Sequence, residues 1–110
     1  MAGRIAETHK SIRDDGRIWV WGAGRKGTMF LYYLAQSTIL KSDRLGCVDQ
    51  DLRKQGKYTP YTKVPIISNA SLIYRIKVDD IVVILNSNYS NEIRDFLAIH
   101  LSFSVNIMEF

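Results

Sequence analysis

At 110 residues the chain has room for one domain with a single core, and for at most one mononucleotide-binding half of a dinucleotide fold. Its 46% hydrophobic and 24% charged content is ordinary for a globular protein, and a net charge of +4 without a block of like charges argues against a nucleic-acid tail. No apolar run approaches a membrane span, charged residues from Arg4 to Arg13 interrupt any signal-peptide core, and a single cysteine, Cys47, excludes a disulfide framework or a cysteine-cluster zinc site, so the expected compartment is the cytoplasm.

Ile5, Ala6, His9 and Ile12 recur at near-helical spacing and predict a leading helix within residues 1–15, closed by Asp14-Asp15-Gly16. Ile18-Trp19-Val20-Trp21 is apolar on both faces, the pattern of a buried parallel strand. Gly22-Ala23-Gly24-Arg25-Lys26-Gly27 then supplies a G-x-G-x-x-G turn where that strand hands over to a helix. Its first glycine permits a tight turn, the second lets a phosphate approach the backbone, and the third allows close helix–strand packing. Met29, Phe30, Tyr33, Leu34 and Ser37 predict the buried stripe of the helix. A second strand is expected over 44–49, with Cys47 as a buried structural thiol.

Residues 50–63 form a polar, basic excursion that is long for a compact domain, and loops of this length are often functional. An edge strand over 64–67 tolerates Pro65, and Ser68-Asn69 caps a helical turn that reaches Tyr74. The five consecutive apolar residues 81–85 give the strongest strand signal in the chain. The polar loop from Asn86 to Ser90 opens a helix with Ile93, Phe96, Leu97 and Leu101 on one face, and alternation over 104–108 predicts a last strand. This order predicts a small Rossmann-like α/β fold of three layers, with a mainly parallel sheet and helices on both faces.

In an open α/β sheet, ligands collect at the carboxyl ends of the strands. The glycine turn, Asp49 with the basic excursion, and the loop after the 81–85 strand all fall there. Gly22, Gly24 and Gly27 would let the backbone meet phosphate. Arg25 and Lys26, in the first helical turn, oppose the helix dipole unless an anion sits beside them. Asp49 lies 22 positions past Gly27, near the spacing of an acid that accepts hydrogen bonds from a ribose diol. Its alternative role is to cap the loop. Asp49 and Asp51 have no histidine or third acid nearby to complete a metal site. His9 and His100 stand alone and are expected to be structural or surface residues, while Trp19 and Trp21 belong to the core or to a contact with a partner domain. Three readings stay open at this point: a nucleotide-binding domain, a small NAD(P)-type oxidoreductase or fragment, and a structural module that has lost its ligand.

Gly22-Ala23-Gly24 with Lys26-Gly27, then Val48-Asp49, then Lys54-Gln55-Gly56-Lys57-Tyr58-Thr59-Pro60, then Val64-Pro65-Ile66, follow one another in a familiar order. Val82-Val83-Ile84-Leu85, Asn88-Tyr89 and Glu92-Ile93 complete it. Over residues 18–97 the chain resembles the C-terminal domain of the sugar C-methyltransferases, enzymes that act on nucleotide-linked deoxysugars. The resemblance implies a Rossmann-like accessory domain that helps to hold a nucleotide-linked sugar, with Lys54, Tyr58, Asn88 and Glu92 along its rim. It also implies an upstream methyltransferase domain as partner and S-adenosylmethionine as the parent family's cofactor, with neither nucleic acid nor membrane involved. Methyl transfer by this chain alone is not implied. The family carries its catalytic residues and a cysteine-rich zinc module outside this domain, and no acid ends the first strand in the Asp/Glu-x-Gly-x-Gly style of methyltransferases. After Thr-Pro the family pattern favours Gly, where this chain has Tyr61.

Overall fold

The computed structural model describes residues 2–12, 16–36 and 42–110, without the side chains of residues 2, 5, 9–11 and 42. His9 as a side chain, and Ser37, therefore lie outside the described part. The elements run α1 (Ala2–Ser11), β1 (Ile18–Trp21), α2 (Arg25–Gln36), β2 (Leu45–Val48), β3 (Ile66–Ile67), α3 (Asn69–Arg75), β4 (Ile81–Ile84), α4 (Ser90–His100) and β5 (Asn106–Glu109). Short 3₁₀ turns at Ser42–Arg44 and Ser87–Tyr89 precede β2 and α4. All strand pairs are parallel, in the order β3-β2-β1-β4-β5.

The period-two alternation of a strand divides the core between two faces. Ile18, Val20, Ile81 and Val83 pack with Phe30, Leu31 and Leu34 of α2. Trp19, Val82 and Ile84 pack on the other face with Leu72 of α3 and Ile93 and Leu97 of α4. The predicted three-layer parallel α/β architecture is the one observed, and apolar residues on both faces of β1 and β4 are what bury those strands.

Some elements differ from expectation in position. On α2 the buried residues are Gly27, Phe30, Leu31 and Leu34, whereas Met29 and Tyr33 are 42% and 41% exposed. The stripe is rotated because Gly27 must face the end of β1, which brings Leu31, one turn later, inward. β2 stops at Val48, and Arg44 belongs to the 3₁₀ turn, where its Nε donates to the Gly16 carbonyl at 2.9 Å. β3 is confined to two residues, and β5 is displaced toward the C-terminus, extended by the Phe110 N–H donating to the Ile84 carbonyl at 2.9 Å.

The 50–63 excursion folds back on the sheet edge. Gly56 N–H donates to Ile66 O at 2.9 Å, Ile66 N–H to Lys57 O at 2.8 Å and Thr59 N–H to Val64 O at 2.9 Å. Thr59 is fully buried, and its hydroxyl oxygen accepts from Val64 N–H at 3.0 Å. Tyr61 sits at φ 66°, the left-handed region that favours glycine. Tyr61 is 86% exposed, with its ring edge-on to Tyr32 at 5.9 Å between centroids.

At the amino end of the sheet, one buried carboxylate ties the start of β1 to the turn before β4. Asp80, 1% exposed, accepts from the backbone N–H of Arg17 and of Lys77 and from Trp19 Nε1, each at 2.9 Å. A buried carboxylate is tolerated when its acceptors are satisfied in this way. The Trp19 indole then lies against Gly46, its register partner on β2, and a Cβ there would run into the ring. Gly46→Ala should therefore destabilise the domain by about 1–3 kcal/mol, as overpacking of a filled core does, in urea unfolding followed by fluorescence. A variant of unchanged stability would show that the ring does not occupy that space.

Candidate functional site

The turn after β1 is built by three glycines with three different duties. Gly22, at φ 111°, swings the chain out of the strand, and its N–H donates to Val48 O at 2.6 Å. Gly27 permits close approach, because a Cβ there would collide with the Gly22 carbonyl oxygen. Gly24 is different: a Cβ at that position would meet no protein atom within 4 Å. It opens α2, with the Thr28 N–H donating to Gly24 O at 3.0 Å. A glycine in that position offers no side-chain acceptor to the leading N–H groups of the helix, which have no intrahelical partner either. The first turn of α2 holds no acid, and Arg25 and Lys26 project there, exposed.

Asp49 stands just past β2 and holds this turn in place. Its Oδ2 accepts the Ala23 N–H at 2.7 Å, and its Oδ1 accepts the Asp51 N–H at 2.8 Å. Lys54 Nζ lies 4.0 Å from Oδ2, behind the carboxylate. Asp49 thus caps its own loop and grips the glycine turn across the sheet. Beneath it, the Cys47 thiol is pushed up to about 12 by burial and secondarily by the Asp49 charge. A thiol held protonated is a poor nucleophile, so Cys47 belongs to the core.

A cleft of about 350 Å³ opens between the start of α2 and the start of α4. It lies at the carboxyl ends of β1 and β4, where successive connections leave the sheet in opposite directions, the usual ligand position in such folds. Of the residues singled out from sequence, the three glycines, Arg25, Lys26, Asp49 and Glu92 all line it. Lys54, Tyr58 and Asn88 do not. Tyr58 is 63% exposed on the excursion, where it bridges Pro65, and Asn88 spends its N–H on the Asn86 side chain at 3.0 Å within the 3₁₀ turn. Trp21, Leu85, Asn86 and Tyr89 are among the other lining residues. Their signal in the sequence was position alone: Trp21 ends β1 beside the first glycine, and Tyr89 adjoins Asn88.

The α4 wall is fixed to the sheet. Ser90 Oγ donates to Glu109 Oε1, and Arg94 binds both Ser90 Oγ, at 3.1 Å, and Glu109, at 3.2 Å. Those hydrogen bonds, Ser90 first and Arg94 second, hold the Glu109 carboxyl below its usual range. His100, at the far end of α4, hydrogen-bonds its Nδ1 to the Phe96 carbonyl at 2.9 Å and stacks on the Phe96 ring, a structural role.

The family model of the C-methyltransferase C-terminal domain matches residues 4–104, a span that contains every residue of the cleft. The chain belongs to this family. Comparison with curated proteins gives no match. Among the described residues of this C-methyltransferase C-terminal domain, no helix is long and apolar enough to cross a membrane.

Replacing Asp49 by Ala should leave the N–H groups of Ala23 and Asp51 without their acceptor, at a cost of about 1–3 kcal/mol. Urea unfolding should register the loss, and hydrogen exchange at both amides should accelerate. Wild-type stability and protection in that variant would remove Asp49 from the role of turn holder.

Proposed function

We propose that this domain binds a nucleotide-linked sugar for the methyltransferase domain with which its family is associated, and that it does not transfer methyl groups itself. The single observation behind this reading is the glycine turn at the switch point of the sheet, with open space at Gly24 and two cations beside it. A diphosphate bridge satisfies the free N–H groups at the start of α2 and relieves the conflict of Arg25 and Lys26 with the helix dipole. The volume of about 350 Å³ falls in the range of small-ligand sites and suits part of a nucleotide-linked sugar.

S-adenosylmethionine, implied for the parent enzyme, is a poor match for the same cleft. Its sulfonium cation would be repelled at the turn by Arg25 and Lys26, where the one carboxylate, Asp49, already accepts two backbone N–H groups, and would find a further carboxylate only at Glu92 on α4. The methyl donor is therefore assigned to the upstream domain.

Gly24→Val should abolish binding of nucleotide-linked sugars, measured by calorimetry with a panel of them, and leave cooperative unfolding intact, because the added methyls occupy only the approach of the phosphate. Wild-type affinity in the folded variant would overturn the phosphate site. Incubation of the chain with S-adenosylmethionine and the same panel should yield no methylated product, and turnover above a heat-killed control would overturn the assignment of catalysis elsewhere.

A further inference from the structure

Two carboxylates line the cleft, and their situations differ. Each oxygen of Asp49 accepts one backbone N–H of the turn, from Ala23 and from Asp51, with Lys54 Nζ 4.0 Å from Oδ2. Glu92 lines the α4 wall, and among the described residues no hydrogen bond or ion pair engages it. The helix that carries it is immobilised by the Ser90, Arg94 and Glu109 cluster. The cleft is thus polarised: Arg25 and Lys26 stand on the α2 wall and Glu92 on the α4 wall, and Ile84, Leu85 and Ile93 also line it.

We infer that Glu92 is the specificity-determining residue of the cleft, accepting hydrogen bonds from sugar hydroxyls. This rests on the reading of the cleft as a nucleotide-sugar site. An ionised carboxylate is an acceptor only, so it binds hydroxyl donors and repels phosphate. Its charge strengthens each hydroxyl hydrogen bond. The ligand is therefore oriented in one sense, with its phosphates toward the glycine turn and its hydroxyls toward α4. A carboxylate that served only to complement the α4 dipole would affect stability, and would not discriminate among ligands.

The test is calorimetry of the full chain, wild type, Glu92→Gln and Glu92→Ala, with three probes: inorganic pyrophosphate, UDP and UDP-glucose. Urea unfolding of each variant accompanies it. Pyrophosphate should bind all three proteins without weakening, since it carries no hydroxyl to read. UDP-glucose should bind both variants about tenfold or more weakly, the fold-change expected for loss of a hydrogen bond to a charged group. A matching loss with UDP assigns the contact to ribose, and wild-type affinity for UDP assigns it to the hexose; either supports the inference. Unchanged UDP-glucose affinity in the variants, an equal loss for pyrophosphate, or binding of pyrophosphate without binding of UDP-glucose would overturn it. Failure of wild-type protein to bind pyrophosphate at all would instead overturn the nucleotide-sugar reading of the cleft, and this inference with it.

Discussion

The acceptance of two backbone N–H groups by the Asp49 carboxylate, from Ala23 on one side and Asp51 on the other, is the constraint from which the site follows. It ties the end of β2 to the turn after β1, and the Gly22 N–H bonded to Val48 O reinforces the same junction. With the turn fixed, α2 must start where Gly27 can lie against the Gly22 carbonyl, and the rotation of the whole helix is set. Phe30, Leu31 and Leu34 then enter the core, and Arg25 and Lys26 are left at the mouth of the cleft. One carboxylate thereby couples the packing of a layer to the presentation of its free N–H groups.

The opposite end of the sheet shows the same economy. Asp80 gathers the N–H groups of Arg17 and Lys77 and the indole of Trp19, and Gly46 makes room for that indole on the neighbouring strand. The amino end of the sheet is closed by satisfied polar groups, whereas the carboxyl end keeps an open cleft and a glutamate that no described residue engages. The cleft and the closed end are separated along the length of four-residue strands.

Much of this was legible in the residues themselves. Runs such as Ile18–Trp21 and Ile81–Ile84, apolar on both faces, can be buried in a parallel sheet, and the glycine turn marks the junction of strand and helix through the geometry glycine alone permits. The helix face was not legible, because hydrophobicity placed Met29 and Tyr33 inward, while the decisive inward residue, Gly27, carries no side chain to register as apolar. Nor was the engagement of Asp49 and Asp80. A carboxylate near a turn reads alike whether it faces open space or the chain's own backbone, and the bond from Ala23 N–H to Asp49 joins residues too far apart in sequence to be read from it. The rim residues Lys54, Tyr58 and Asn88 came from resemblance. They are not among the residues that line the cleft, although Lys54 reaches to 4.0 Å from Asp49 and Asn88 adjoins Tyr89, both of which do.

Anion binding at the β1–α2 turn is tested most directly by amide chemical-shift mapping of the wild-type chain during titration with UDP. The largest shifts should fall on Gly24, Arg25, Lys26 and Gly27, where unpaired N–H groups meet phosphate, with smaller ones along the α4 wall near Glu92. Residues 57–63 of the excursion should stay unmoved. Shifts centred on that excursion, or no shift at the glycine turn under saturating UDP, would contradict the site.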